Sequence, residues 1–317
     1  MKMCQKEKVP LVTIVITVYN RLTFLAQAVQ SALVQSYPHV QLIVVDDGSG
    51  IDVKSALEPF GDLVRFYTKP NGGPASARNI GIRHAEGEFI LFLDDDDFLE
   101  PCAVKELVDM IRESGACWAA GRFAYVDENG MRLPNQQGTG LSSGDMYDEM
   151  IHQNLVGAPS VVLALTDAIR SLGAFDEDPA VQLCEDYDLW LSLARAFPVA
   201  ASPRVVSNYR VYAGQATKNW ERHYEAWLTV LGKHQRLARP GFAKEFDLSI
   251  AAIELEYGDS LYLNGKYNEA RQWWGEAYRK RGTTHIGYLI RRTKSHFPKL
   301  LRLLRRVRHH RRALVQA

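Results

Sequence analysis

The stretch GEFILFLDDDDFLEP (residues 87–101) is the part of the sequence around which we build the prediction of the fold. Residues 89–93 are an apolar run typical of a strand buried on both faces. Four adjacent acids follow, and their carboxylates repel one another at the end of a buried strand unless a cation neutralises them. Alternation along a strand predicts that Asp94 and Asp96 hold one ion, Mg²⁺ or Mn²⁺, while the acid between them points elsewhere. The alternative is a solvated acidic loop that caps the next helix.

Strands and helices alternate on both sides of this stretch. We predict strands at residues 11–19, 40–45, 64–67, 89–93, 118–126 and 160–165, and helices at 22–35, 53–59, 75–85, 101–114 and 184–196. A polar loop is predicted at 127–145, with a short helix reaching residue 154 after it. Such alternation predicts a mostly parallel sheet covered on both faces, with ligands at the carboxyl ends of its strands. Asp46 and Asp47 follow the second strand and therefore reach the same edge as the acid run.

Two further stretches bring polar groups to that edge. The loop NGGPASARN (residues 71–79) has glycines that let the backbone approach a ligand, and the next helix presents N–H groups to an anion. Arg78 on that helix either reaches a phosphate or a base, or is an ordinary surface arginine. Asp186 lies in the first turn of a later helix, either as a partner of the helix dipole or as a general base that faces the metal site.

Five ordered motifs lie within about residues 10–213. They are VTIVITVYNR (12–21), VVDDGS (44–49), NGGPASARNIG (71–81), FLDDDDFLEP (92–101) and GAFDE…CEDYDLWL (173–191). In this order and spacing they resemble glycosyltransferase family 2, the inverting nucleotide-sugar transferases. The resemblance implies an α/β fold of GT-A type, a Rossmann-like αβα sandwich.

The resemblance also implies roles for individual residues. Those that would contact the nucleotide are Thr17, Tyr19, Asp46 or Asp47, Arg78 and, near the ribose, Asp95. Asp94 and Asp96 match the metal-binding Asp-x-Asp pair, although four adjacent acids leave its register open by one residue. Asp186 matches the catalytic base. Ser192 stands where relatives often have arginine, so the acceptor contacts stay open.

The implied activity is metal-dependent, inverting transfer of a sugar from a nucleoside diphosphate to a hydroxyl group. UDP is the default nucleotide, and Mn²⁺ or Mg²⁺ is the implied cofactor. The implied acceptor is a glycan or a lipid-linked molecule that takes part in the synthesis of cell-envelope polysaccharides or glycoconjugates. The Gln-x-x-Arg-Trp signature of processive membrane synthases is missing, which predicts addition of one or a few sugars. The alternatives are an inactive scaffold protein of the same fold, acting through its helical C-terminal region, and a sugar nucleotidyltransferase.

Charge divides the chain into two regions. Residues 1–213 hold 17 Lys and Arg against 28 Asp and Glu, a net of −11, whereas residues 214–317 hold 21 against 9, a net of +12. We therefore predict an acidic catalytic domain at 1–213 and a basic helical region at 214–317. Residues 250–281 resemble a tetratricopeptide-type hairpin that turns at Gly265. Such a hairpin cannot bury its own face, so it packs on the catalytic domain or on a second copy of the chain.

The tail at about residues 291–317 predicts a basic amphipathic helix. Such a helix binds an anionic membrane surface. Packing of the tail on its own domain is the alternative, and binding to nucleic acid is disfavoured by the acidic catalytic domain.

The four cysteines lack Cys-x-x-Cys spacing, which favours reduced thiols. Because neither a membrane span nor a signal-peptide core is found, we expect a cytoplasmic protein, peripheral at the inner face of the cell membrane if the tail binds lipid.

Overall fold

The computed structural model describes residues 9–137, 140–212 and 219–281. These residues fall into two compact units, the first ending at Val230 and the second beginning at Leu231. The predicted basic tail lies outside the described residues. No helix in the described ranges is long and apolar enough to cross a membrane.

The first unit is organised around one mixed sheet. Its strands are β1 (Val12–Val18), β2 (Val40–Asp46), β3 (Val64–Thr68), β4 (Phe89–Asp94), β5 (Phe98–Leu99), β6 (Trp118–Val126), β7 (Arg132–Gln137), β8 (Val162–Leu165) and β9 (Val199–Arg210). Over the described residues their order is β3-β2-β1-β4-β8-β6-β9-β5, with β7 beside β6. The β3-β2-β1-β4 half is parallel, as the alternation predicts, and β8 joins β4 antiparallel.

Helices cover this sheet. In the first unit they are α1 (Leu25–Leu33), α2 (Val53–Leu57), α3 (Pro74–His84), α4 (Ala103–Ser114), α5 (Tyr147–His152), α6 (Thr166–Ser171), α7 (Glu185–Ala196) and the start of α8 (Trp220–Arg236), with 3₁₀ turns at Glu58–Leu63 and Pro159–Val161. Every residue of β1 is buried, which shows that both faces of the sheet are covered. The β-branched and apolar sequence of β1 therefore forms the centre of the core, as predicted.

The chain after β1 turns to β2 and β3, whereas β4 lies on the other side of β1. In a parallel sheet, strands that diverge in this way leave a crevice at their carboxyl ends, where ligands bind. The motifs at the ends of β1, β2 and β4 therefore meet at one edge because of strand order.

Four of the labelled strands and helices were missed by the sequence interpretation. Strand β7 lies inside the predicted polar loop, and β5, α6 and β9 lie where no element is predicted. The sequence of β9, VAASPRVVSNYR, contains Pro203 and many polar residues, so it lacks an apolar run. It is held by pairing with β6, with register shifts that accommodate its irregular backbone. Tertiary pairing, not local propensity, forms this strand.

The second unit contains a helical hairpin. Helix α9 (Ala243–Leu263) and α10 (Tyr267–Lys280) pack together, and Gly265 turns the chain between them with a φ of +84°. Trp274 is buried between the helices, where a side chain at Gly258 would collide with its ring. Trp274 therefore belongs to the core of the hairpin.

Close packing of α3 on β1 gives a test of this fold. A Cβ atom added at Gly81 would lie 2.3 Å from Cγ1 of Val15, so the helix and strand would have to separate. We expect Gly81→Ala to lower the free energy of unfolding by about 1–3 kcal/mol in urea denaturation, despite the higher helix propensity of alanine. Gly232→Ala is the matched control, because no described atom lies within 4 Å of its new Cβ. Equal or higher stability of Gly81→Ala would contradict the packing.

Candidate active site

A cavity of about 580 Å³ lies at the carboxyl ends of β1, β2 and β4 and at the first turn of α7. Its volume is typical of a site for a small molecule or cofactor. The predicted site residues that line it are Thr17, Tyr19, Asp47, Arg78, Asp94, Asp95, Asp96 and Asp186. The structure thus brings together residues from all five motifs.

Asp46 is the predicted site residue that does not line the cavity. Its carboxylate accepts hydrogen bonds from Ser49 N (3.0 Å) and Thr68 Oγ1 (3.3 Å). These bonds hold the turn after β2 against β3. Of the two adjacent acids, only Asp47 lines the cavity.

Asp47 organises the glycine loop. Its carboxylate accepts hydrogen bonds from the backbone N–H groups of Gly72 (3.0 Å) and Gly73 (2.8 Å) and pairs with Lys69 Nζ at 2.6 Å. These two amides belong to the glycine loop whose backbone was predicted to approach a ligand, and in the structure they bind this carboxylate. Gly73 has a φ of +89°, so its backbone conformation favours glycine.

The acid run differs from the predicted alternation. Strand β4 ends at Asp94, and the N–H of Asp97 bonds to the carbonyl of Asp94 at 3.1 Å, which closes a turn. Within this turn Asp95 also lines the cavity, contrary to the expectation that it points elsewhere. Asp97 instead accepts a hydrogen bond from Arg210 N at 3.0 Å, and burial raises its pKa well above the usual range. A turn, unlike a strand, does not separate successive side chains onto two faces.

Arg21 neutralises two of these acids. Its guanidinium forms a fork with both carboxylate oxygens of Asp95 and pairs with Asp96 Oδ2 at 3.0 Å. Tyr212 donates to the same oxygen of Asp96 at 2.9 Å and also bonds to Arg21. Burial nevertheless raises the pKa of Asp95 to about 7, against the lowering effect of Arg21.

Arg78 links the acid run to α7. It is 4% exposed, and its two terminal nitrogens bond to Asp94 Oδ1 and Glu185 Oε1, each at 2.8 Å. The guanidinium also packs over the ring of Phe175, 5.2 Å from its centroid. Arg78 is therefore an internal counter-ion rather than a surface arginine.

The two predicted metal ligands each keep one oxygen available. Arg78 occupies Oδ1 of Asp94, and Arg21 with Tyr212 occupies Oδ2 of Asp96. Neither Asp94 Oδ2 nor Asp96 Oδ1 accepts a hydrogen bond from another described residue. Both carboxylates line the cavity, and the only ligand atoms they offer are oxygens, which suit Mg²⁺ or Mn²⁺. The residues present thus fit a divalent cation.

Asp186 occupies the first turn of α7. Its Oδ1 accepts the N–H of Tyr187 at 2.7 Å, and its Oδ2 has no partner among the described residues. Burial and the neighbouring Glu185 raise the pKa of Asp186 to about 7, whereas Arg78 acts in the opposite direction. A carboxylate with a free oxygen and a pKa near neutrality is suited to accept a proton.

Four supporting residues were not identified from the sequence: Arg21, Glu185, Arg210 and Tyr212. Arg210 is 1% exposed and donates to the carbonyls of Asp96 (2.8 Å) and Glu128 (2.8 Å). Arg21 and Glu185 lie within two of the five motifs, a signal that was available. Arg210 ends the undetected strand β9 and Tyr212 follows that strand, so no local pattern pointed to them.

Comparisons with known proteins agree with this geometry. Residues 13–162 match the family model described as glycosyl transferase family 2. An uncharacterised glycosyltransferase of Rickettsia typhi is 28% identical over 77% of this chain and 80% of its own length. A putative teichuronic acid biosynthesis glycosyltransferase of Bacillus subtilis, TuaG, is 23% identical over 69% of this chain and 86% of its own. The chain spans only 34% and 36% of two other rickettsial relatives.

Two solved structures share the fold. TarS of S. aureus, crystallised with UDP-GlcNAc, superposes with a TM-score of 0.64 over 84% of this chain and 79% of its own, at 20% identity. The mannosyltransferase PcManGT of Pyrobaculum calidifontis, in complex with GDP-Man and Mn²⁺, gives 0.57 over 92% and 88%, at 18% identity. These likenesses confirm the predicted GT-A fold with its helical C-terminal region. With the ordered motifs, the sheet and the relatives in agreement, residues 13–162 of this chain form a glycosyltransferase family 2 domain.

Proposed function

We propose that this glycosyltransferase moves a sugar from a nucleoside diphosphate to an acceptor hydroxyl, with inversion at the anomeric carbon. One observation supports this most directly. Asp186, whose Oδ2 has no partner among the described residues, lines the same cavity as Asp94 and Asp96. A proton acceptor and an anionic site for a cation and diphosphate therefore share one space, as a one-step displacement requires.

The donor is proposed to bind on the β1–β2 side of the acid run. Thr17, Tyr19 and Asp47 line this side, and Tyr19 is 51% exposed, so its ring is available to a nucleotide base. Asp95 is proposed to lie near the ribose. UDP is the proposed nucleotide, since TarS was crystallised with UDP-GlcNAc, and a GDP-sugar is the competing choice because PcManGT was crystallised with GDP-Man.

The diphosphate end is proposed to meet the acid run. The available oxygens of Asp94 and Asp96 would hold Mn²⁺ or Mg²⁺. Such a cation supplies positive charge for the departing nucleoside diphosphate. Arg78 orients Asp94 by a charge-assisted hydrogen bond and keeps its Oδ1 occupied, which directs Oδ2 to other partners.

Asp186 is proposed to act as the base. As the acceptor oxygen attacks the anomeric carbon, its proton passes to Oδ2 of Asp186. The new C–O bond forms on the face opposite the leaving diphosphate, whose bond to the sugar breaks with its electron pair. An α-linked donor thus gives a β-linked product. The position of Asp186 in the first turn of α7 favours its anionic form before the transfer.

The acceptor is proposed to enter beside α7 and α8. Tyr209, His223 and Trp227 line this part of the cavity, and burial lowers the pKa of His223, which keeps its ring neutral near pH 7. Aromatic faces and a neutral imidazole suit a glycan hydroxyl and sugar ring. Together with the resemblance to TuaG, this favours an acceptor from cell-envelope polysaccharide synthesis, carried by a glycan or a lipid.

We propose a role for each of the two regions into which the sequence divides by charge. Residues 1–213 are proposed as the catalytic domain, and His223 and Trp227 extend its cavity lining into α8. Residues 214–317 are proposed to attach the enzyme to a cytoplasmic membrane surface or to a second copy of the chain. The inactive-scaffold alternative is disfavoured, because the carboxylates that transfer requires are present and share one cavity.

Metal dependence tests the proposed function. With UDP- and GDP-sugars as donors and envelope glycans as acceptors, we expect transfer to disappear in EDTA and to return with Mn²⁺. Asp96→Ala should lower transfer by at least about a hundredfold, because it removes a carboxylate that fixes the cation. Asp109→Asn is the control, since that exposed acid pairs with Lys105 on α4. Full activity in EDTA, or in Asp96→Ala, would refute the metal assignment. No transfer with any donor would refute the enzyme proposal.

A further inference from the structure

We propose that Arg21 is a positioning residue that acts as a built-in counter-cation for the acid run. It holds Asp96 so that one oxygen is left for the metal, and it stabilises the fold when no metal is bound. The first part rests on the proposed function, because it concerns the cation of that site. The second part concerns the metal-free protein and stands on the described contacts alone.

The backbone conformation at the preceding residue directs Arg21 toward Asp95 and Asp96. Asn20 has a φ of +51°, a left-handed conformation that asparagine tolerates, and it redirects the chain as it leaves β1. Its side-chain oxygen accepts the N–H of Gly50 at 2.7 Å, and its own N–H donates to Ser49 Oγ at 2.8 Å. The turn after β1 is thereby tied to the turn after β2, so Arg21 starts from a fixed position.

The side chain of Arg21 engages the two acids differently. It binds Asp95 in a bidentate interaction with both carboxylate oxygens, in which Nε lies 3.2 Å from Oδ2. The side chain of Asp95 is only 4% exposed. It meets Asp96 through a single oxygen, Oδ2, at 3.0 Å. Tyr212 donates to that same oxygen and packs its ring against Phe24, 5.4 Å away. Asp96 is therefore clamped on one side only.

The charges around the turn do not balance. Six carboxyl groups lie in or beside it, from Asp94, Asp95, Asp96, Asp97, Glu185 and Asp186, against three guanidinium groups, from Arg21, Arg78 and Arg210. Buried like charges at this spacing are strongly destabilising unless they are compensated. Removing Arg21 would leave Asp95 and Asp96 without their cation. A divalent ion bound at the turn would then replace the positive charge of Arg21 in stabilising the fold, in addition to its proposed role in the transfer reaction.

Arg21→Gln separates these roles from catalysis, because unfolding temperature and Mn²⁺ affinity are measured without donor or acceptor. In EDTA at pH 8, we expect Arg21→Gln to unfold roughly 5–10 °C below the wild type. One millimolar Mn²⁺ should recover at least half of that loss but shift the wild type by no more than about 2 °C. Titration calorimetry should show Mn²⁺ binding roughly tenfold tighter in Arg21→Gln, because a repelling charge is gone while Tyr212 still holds Oδ2 of Asp96.

Two variants separate charge from geometry. Arg21→Lys keeps the charge and loses the fork, so its unfolding temperature should stay within about 3 °C of the wild type in EDTA, with little response to Mn²⁺. Arg65→Gln is the matched control: it removes an arginine from an exposed pair with Glu86 and should show no added response to Mn²⁺. If Arg21→Gln does not fold in EDTA, the double variant Arg21→Gln with Asp95→Asn should restore folding by removing the uncompensated acid.

An equal Mn²⁺-dependent shift in the wild type and Arg21→Gln would overturn the inference, as would failure of the double variant to recover stability. A large shift in Arg21→Gln alone would support the inference even if the wild type transfers no sugar. In that case the counter-cation role holds and the proposed function fails. The two conclusions are therefore tested separately.

Discussion

Replacing Asp186 with asparagine is expected to lower the rate of sugar transfer by a factor of roughly 10²–10⁴, the usual contribution of a general base. Donor binding should stay close to that of the wild type, because the amide keeps the shape of the side chain and Arg78 stays paired with Asp94 and Glu185. The measurement is the single-turnover rate together with the donor dissociation constant. A loss of donor affinity without a loss of rate would contradict the role as base.

The pH dependence of transfer gives a second readout of the same group. Burial raises the pKa of Asp186 to about 7, and a base must be deprotonated to act. We therefore expect the wild-type rate to rise with pH through about pH 7 and to level off above it. The residual rate of Asp186→Asn should lack this step. Asp167→Asn, which changes a 94% exposed side chain on α6, is the control and should keep the wild-type profile.

Replacing Arg78 with glutamine is expected to lower the free energy of unfolding by about 3–5 kcal/mol, because it leaves buried acids without their partner. Arg78 lies at the junction of β4 and α7 and is itself 4% exposed, so water cannot compensate for the loss. Urea denaturation at pH 7.5 measures the change. Arg65→Gln, at an exposed pair, should cost no more than about 1 kcal/mol. An equal effect of the two variants would contradict the structural role of Arg78.

The same variant should also move the pH profile of transfer. Arg78 lowers the pKa of Asp186, so its loss raises that pKa further. The rise of the rate with pH should shift to higher pH in Arg78→Gln, provided that enough folded protein remains. Arg78→Lys retains a positive charge and should show a smaller shift, although it cannot reproduce two separate hydrogen bonds with the same geometry. An unchanged profile in Arg78→Gln would show that Arg78 does not influence the base.

Much of the fold was predictable from local patterns. The buried strands β1, β2 and β4 are apolar and β-branched runs, and strong segments of this kind are visible without any tertiary information. Their acidic ends indicated the correct edge of the sheet. Strand β9 was not predictable, because its polar sequence becomes a strand only by pairing with β6. The alternation assumed for residues 94–97 was wrong because the strand stops at Asp94 and a turn begins.

The sequence by itself determined the family, the GT-A fold and most of the acids that line the cavity, since each of these follows from ordered local motifs. Asp46, which does not line the cavity, and Glu185, which does, were the exceptions. Only the tertiary structure decided which cation meets which acid. Arg21 and Asp95 are 74 positions apart, Arg78 and Glu185 are 107 apart, and Arg21 and Tyr212 are 191 apart. Contacts over such separations depend on strand order and turn geometry, which no local pattern of residues specifies. The available oxygens of Asp94, Asp96 and Asp186 are a consequence of those distant pairings.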